Sequence, residues 1–199
     1  VEQGKIMYGH QDDLMYGHSW KLEDDGLFTI SGNGATGWYD QWYQTPYYNK
    51  YGQNIKKVII ENGVTKINQN AFCSCNNISS VDFADTVTII GVYSFGGCSS
   101  LKNVILPEGV TTIEIYAFCQ CPALESIYIG KNIQTIDNNA FSGSNNLKAV
   151  YYGGSEEQYI QVCEPEGASK VAGTSYAAPW IARKLSYLMN IWDDVNLPY

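Results

Sequence analysis

Residues 101–121 read LKNVILPEGVTTIEIYAFCQC, and this stretch decides the fold. Leu101, Val104 and Leu106 are spaced for one face of a short strand, and Val110 and Ile113 for a second. β-branched residues suit a half-buried strand, while Pro107-Glu108-Gly109 between the two pieces turns the chain. Ala117, Phe118 and Cys121 close the unit.

The same unit recurs along the chain at a step of 23 residues. Phe72, Phe95, Phe118 and Phe141 keep that step, as do Ile55, Ile78, Leu101, Leu124 and Leu147. Val58, Val81, Val104, Ile127 and Val150 form another column. Two more columns are Val64, Val87, Val110, Ile133 and Ile67, Ile90, Ile113, Ile136. Registers that agree without an insertion announce a repeat architecture. One such coil cannot bury its apolar side alone, but stacked on its neighbours it closes a continuous core. The fold is therefore expected to be a mainly β solenoid over residues 54–153. About four and a half coils at ~4.8 Å each make a core only ~20 Å long, so both ends need covers.

Residues 1–53 are expected to be a β-rich N-terminal cap. Trp20–Leu22 and Leu27–Ile30 flank Asp24-Asp25-Gly26, a hairpin signal with glycine where φ is positive. Trp38-Tyr39-Asp40-Gln41-Trp42-Tyr43 and Pro46-Tyr47-Tyr48 form the densest aromatic run. That run reads as a wrap over the open end of the first coil, or as rings that stack on a sugar or a partner. Residues 154–199 form a C-terminal tail in which Ala178, Ile181, Ala182, Leu185, Leu188 and Met189 are spaced for the apolar face of one helix.

The repeat resembles the 23-residue leucine-rich repeat of the BspA type, found in bacterial surface proteins, and Leu101 to Cys121 match it nearly position by position. Asp25–Ala35 is similar to the segment that precedes such repeats, and Val150–Gln158 to the one that closes them. The resemblance runs over residues 18–162. It implies a leucine-rich-repeat solenoid in a secreted or cell-surface setting, used for adhesion or ligand binding.

Composition narrows the partners. The 199 residues carry 12 Lys and Arg against 20 Asp and Glu, a net charge of −8. Backbone contacts to nucleic acid rest on clustered Lys and Arg, so a nucleic-acid partner is not expected. No stretch approaches the ~18 apolar residues of a membrane span. The first residue is Val1 rather than Met, which fits a mature secreted product or a piece of a longer protein. Sixteen Tyr and five Trp against two His favour contact surfaces over histidine chemistry.

Among the outward residues of the first strands, Ile59, Asp82, Ile105, Tyr128 and Tyr151 share one side, with Lys57, Ser80, Asn103, Ser126 and Ala149 beside them. Aromatic and apolar side chains on a sheet face offer area that repays desolvation, so these five are the candidate contact residues for a protein or glycan ligand. Five of the six cysteines belong to the repeat: Cys75, Cys98 and Cys121 in one phase, Cys73 and Cys119 in another. One-coil spacing admits a Cys75–Cys98 or Cys98–Cys121 bridge; the reading taken here is a column of buried thiols in the corner that Ser144 fills in the last coil. Cys163 lies outside that ladder. C-x-C spacing without a nearby histidine is not a zinc pattern, and His10 with His18 lacks a third ligand, so neither a metal nor another cofactor is expected.

One motif points elsewhere. Gly173-Thr174-Ser175-Tyr176-Ala177-Ala178-Pro179 resembles the serine motif of subtilisin-like peptidases, which implies Ser175 as a nucleophile at the start of a helix. A serine needs a histidine base and a carboxylate that holds it. In that family both precede the serine, whereas here Asp85-Thr86 is followed by Val87 in a repeat turn, and His10 and His18 come before it. The chain is accordingly read as a binding module rather than an enzyme, with part of a subtilisin-like peptidase as the alternative.

Overall fold

The computed structural model describes residues 2–5, 18–36, 51–137 and 139–153. The expected C-terminal helix, Ser175, Cys163, His10 and the Trp38–Tyr48 aromatic run lie outside the described residues.

The apolar columns found in the sequence become the core columns of a β solenoid, buried in nearly every coil, with Val150 of the last coil only partly covered. The first strands of successive coils are β5 (Lys57–Ile60), β7 (Ser80–Asp82), β9 (Asn103–Ile105), β11 (Ser126–Ile129) and β13 (Ala149–Tyr152). The second strands are β6 (Val64–Ile67), β8 (Ile89–Ile90), β10 (Thr112–Ile113) and β12 (Thr135–Ile136). Where these strands pair they run parallel, and the partners are residues one repeat apart, such as Val58 with Val81 and Ile127 with both Val104 and Val150. Phe72, Phe95, Phe118 and Phe141 stack ring on ring along the axis, with centroids 5.3, 5.4 and 5.7 Å apart. Full burial of a side chain of this size contributes roughly 1.5–3 kcal/mol, so this spine and the aliphatic columns around it carry most of the stability.

The cap is continuous with the ladders. β1 (Glu2–Lys5), β2 (Ser19–Leu22) and β3 (Leu27–Ser31) form an antiparallel meander, with Gly26 at φ 94° in the expected turn. β3 then pairs in parallel with β5, and β4 (Gly34–Ala35) with β6, so the cap ends as one more rung. Phe28 packs edge-on against Phe72 and stacks on Trp20, which closes the end of the aromatic spine.

The third side of each coil has no strand. There, N–H groups of one coil donate to carbonyls of the next, as in Phe72 to Ser94, Phe95 to Ala117 and Phe118 to Ala140. The chain makes these bends with left-handed residues at two fixed phases. One phase holds Asn70, Tyr93, Tyr116 and Asn139 at φ 58°, 52°, 59° and 61°; the other holds Ser74, Gly97, Gln120 and Gly143 at φ 60°, 75°, 51° and 76°.

One feature departs from a uniform stack. The first-strand ladder is divided into a sheet β1-β2-β3-β5-β7 and a sheet β9-β11-β13, whereas the second strands form one sheet, β4 to β12. β7 ends at Asp82, and Phe83 takes the place that Ile60, Leu106 and Ile129 hold in other coils. Its ring is only partly buried and packs edge-on against Phe95 at 5.7 Å.

Candidate binding face

Strand alternation turns every second residue of the first strands away from the core. The five candidates consequently fall in register, but in two groups. Ile59 pairs with Asp82 on β5 and β7, and Ile105, Tyr128 and Tyr151 form a row across β9, β11 and β13. The row expected as one is held by two separate sheets, because hydrogen-bond pairing stops between β7 and β9.

The two groups differ chemically. Ile105 is 70% exposed and Tyr151 59% exposed, the largest outlays of apolar surface among the described residues. Between them Tyr128 is half-buried, and its hydroxyl donates to Glu108 Oε1 at 2.6 Å. Glu108 Oε2 in turn accepts the Lys131 N–H at 3.0 Å, and the Asn132 amide donates to the Glu108 carbonyl. The Tyr128 bond, followed by that of Lys131, holds the Glu108 carboxyl below its ordinary range; the same bond to Glu108 raises the Tyr128 phenol. A side chain at Gly153 would collide with the Tyr128 hydroxyl. Tyr128 is thereby fixed as the middle of the row, between two exposed neighbours, Ile105 and Tyr151. Rigid aromatic area of this kind loses little entropy on contact.

In the other group Asp82 is engaged by Lys57, Nζ to Oδ2 at 2.6 Å, in an exposed ion pair. Such pairs contribute ~0–1 kcal/mol and exchange readily for a partner's charges. At the ends of β5 and β7 there is a shallow depression of about 500 Å³, bordered by Ile59, Glu61, Asp82, Phe83 and Asp85.

The cysteines occupy the interior. Cys75, Cys98 and Cys121 are fully buried and carry free thiols. Burial pushes the Cys75 and Cys121 thiols up to about 12, and raises Cys98 as well. These are inert, protonated packing groups, since the thiolate is the reactive and ligating form. Among the described residues, no group of three or more His, Cys, Asp or Glu is placed to hold a metal ion, and no helix is long and apolar enough to cross a membrane.

Sequence reasoning did not single out Glu108, Tyr93 or Tyr116. The signal for the tyrosines was present: they share a phase with Asn70 and Asn139, residues that mark a left-handed bend.

The family model of the BspA type leucine rich repeat region matches residues 46–161 in six copies. Among solved structures, a leucine-rich repeat protein from Eubacterium ventriosum is 28% identical with a TM-score of 0.53, over 68% of this chain and 41% of its own. A leucine rich cell surface protein from Faecalibacterium prausnitzii is 22% identical with a TM-score of 0.50, over 79% of this chain and 44% of its own. The chain thus spans less than half the length of both proteins. No curated protein matches it.

Proposed function

The chain belongs to the BspA type leucine rich repeat family, and we propose that it is a secreted or cell-surface adhesion module that binds a protein or glycan through the row Ile105, Tyr128 and Tyr151. Ile59 and Asp82 extend that contact on the neighbouring sheet. The observation that carries this reading is the exposure of Ile105 and Tyr151 at 70% and 59% on either side of a Tyr128 locked to Glu108. Exposed apolar area beside a rigid aromatic is the composition of an interface centre, and a polar rim of Asn103, Ser126 and Lys57 surrounds it. The surface setting draws support from the Faecalibacterium structure, which is described as a cell surface protein.

Labelled chain is expected to stain host or neighbouring cells in flow cytometry. The double variant Ile105→Asp, Tyr151→Asp places two charges on an exposed face, where folding is not affected, and staining should fall about tenfold or more. Equal staining by the variant at unchanged Tm overturns the proposal. Treating the cells with a protease or with glycosidases before staining separates a protein ligand from a glycan.

A further inference from the structure

The depression at the ends of β5 and β7 is built around a core position that is only partly covered. Ile60, Leu106 and Ile129 hold that position in other coils and are at most 2% exposed. Phe83 holds it in the second coil, and its ring is half-buried. The orientation of the ring follows from its neighbours. Phe83 meets Phe95 at 5.7 Å with an interplanar angle of 77°, an edge-to-face contact. Both faces of Phe95 are already taken, by Phe72 at 5.3 Å and Phe118 at 5.4 Å, each nearly parallel to it. Phe95 therefore contributes its edge and Phe83 a face. The opposite face of Phe83 is turned away from the spine, and the ring lines a depression of about 500 Å³.

The rim around that ring accepts hydrogen bonds and has little to donate. Glu61, Asp82 and Asp85 border it with Asn62, and no Lys, Arg or His does so among the described residues. An ionised carboxylate only accepts, so the rim suits a ligand rich in donors. One carboxylate already holds a cation of the chain itself, Lys57 Nζ to Asp82 Oδ2 at 2.6 Å. Glu61 and Asp85 have no ion-pair partner among the described residues. The two turns that follow them are tied together: the Thr86 hydroxyl accepts the Gly63 N–H at 3.1 Å and donates to the Val64 carbonyl at 2.8 Å. The backbone beside both carboxylates is thus set before anything binds, which lowers the entropy lost on contact.

These features discriminate between ligands. No group of three or more His, Cys, Asp or Glu is placed to hold a metal ion among the described residues. A sugar hydroxyl both donates and accepts, and on this rim Asn62 is the one side chain that could donate to it. A guanidinium has five N–H donors and no acceptor; it stacks flat on an aromatic face while its edge reaches carboxylates. An ammonium is a compact point charge without that planar fit. The net charge of −8 adds a field that draws a cationic partner. We propose that this depression receives an arginine side chain of a protein partner, stacked on Phe83 among the carboxylates of Glu61, Asp82 and Asp85. The proposal rests on the reading of the chain as a binding module and narrows it, because Ile59 and Asp82 then meet a protein rather than a glycan.

NMR titration of the isotope-labelled full chain tests this with the peptide acetyl-Gly-Arg-Gly-amide and with its citrulline counterpart, which keeps the shape and loses the charge. The arginine peptide is expected to bind with a Kd of about 10 mM or tighter, shifting residues 59–62 and 82–85 and the Phe83 ring, and the citrulline peptide about tenfold more weakly. Phe83→Leu installs the residue type found at Leu106, so the fold is kept, and binding should weaken about threefold or more. Glu61→Gln with Asp85→Asn, both on the exposed rim, should weaken it about tenfold. Ile105→Asp with Tyr151→Asp should leave the peptide signal unchanged. The proposal fails if the two peptides bind alike, if the shifts fall elsewhere, if either depression variant binds the arginine peptide as tightly as wild type, or if methyl glucoside or methyl galactoside occupies the depression and the arginine peptide does not. Cell staining, which tests the Ile105, Tyr128 and Tyr151 row, does not enter this titration, so the failure of one leaves the other standing.

Discussion

The Ser144 hydroxyl donates to the Phe118 carbonyl of the preceding coil at 2.7 Å. It completes a ladder that the other coils make with sulfur. The Cys98 thiol donates to Phe72 at 3.4 Å and the Cys121 thiol to Phe95 at 3.2 Å, each across 26 residues. The Cys121 N–H also donates to Ser144 Oγ at 3.0 Å, so the two chemistries interlock. Cysteine and serine are interchangeable here because the corner asks for one small donor aimed at one carbonyl.

Alkaline pH should therefore unfold this protein early. An unfolded thiol ionises near 9, while burial holds Cys75 and Cys121 protonated up to about 12 and Cys119 up to about 11. Their folded pKa values are raised, so the stabilising difference is complete below pH 9 and is lost as pH climbs from 9 toward 11–12. Calorimetry across pH 7 to 11 should show Tm falling above pH 9. Cys121→Ser keeps the donor, should cost about 1 kcal/mol at pH 7, and should flatten the alkaline fall. An unchanged slope in that variant would show that the buried thiols are not what alkali attacks.

Ser94 offers a gain in stability. Its hydroxyl is fully buried and has no hydrogen-bond partner among the described residues. At the same phase the other coils place Ala71, Ala117 and Ala140, all buried. An unsatisfied buried hydroxyl costs ~1–3 kcal/mol, and alanine is the residue this column already accommodates. Ser94→Ala should raise stability by about 1 kcal/mol and Tm by ~2–4 °C. A lower Tm in thermal melts would contradict the packing described.

The core was legible because it repeats. Columns such as Phe72 to Phe141 are visible without structure, since stacking demands the same residue type at each rung, and the hairpin at Gly26 is written in its turn chemistry. The corner shared by Cys98, Cys121 and Ser144 was equally readable by phase. What escaped is whatever depends on departures from the repeat. The sheet divides where Phe83 replaces an aliphatic residue, and a substitution between apolar types carries no sign of how the ladder will respond. Glu108 reaches Tyr128 across 20 residues, a distance in sequence that no strand pattern connects. Pattern finds what neighbouring coils share, and sites are built from what they do not.

Ser175 supplies the last test, because the motif around it is the most specific short stretch in the chain. A serine hydroxyl becomes a nucleophile only when a mobile imidazole can take its proton. The chain has two histidines. His18 sits in the cap at 2% exposure, hydrogen-bonded to the Gly34 backbone, and burial lowers its pKa. An imidazole enclosed in that way is occupied in packing the cap and is poorly placed to shuttle protons for another residue. His10 is only eight positions earlier, with Gln11 rather than the Gly that follows the catalytic histidine of the resembled family. A fluorophosphonate probe reports an activated serine directly, by forming a stable covalent adduct. The full chain should take up none, and Ser175→Ala should behave identically to wild type. Covalent labelling that Ser175→Ala abolishes would mean that the base comes from elsewhere, and the adhesion reading would give way to a peptidase.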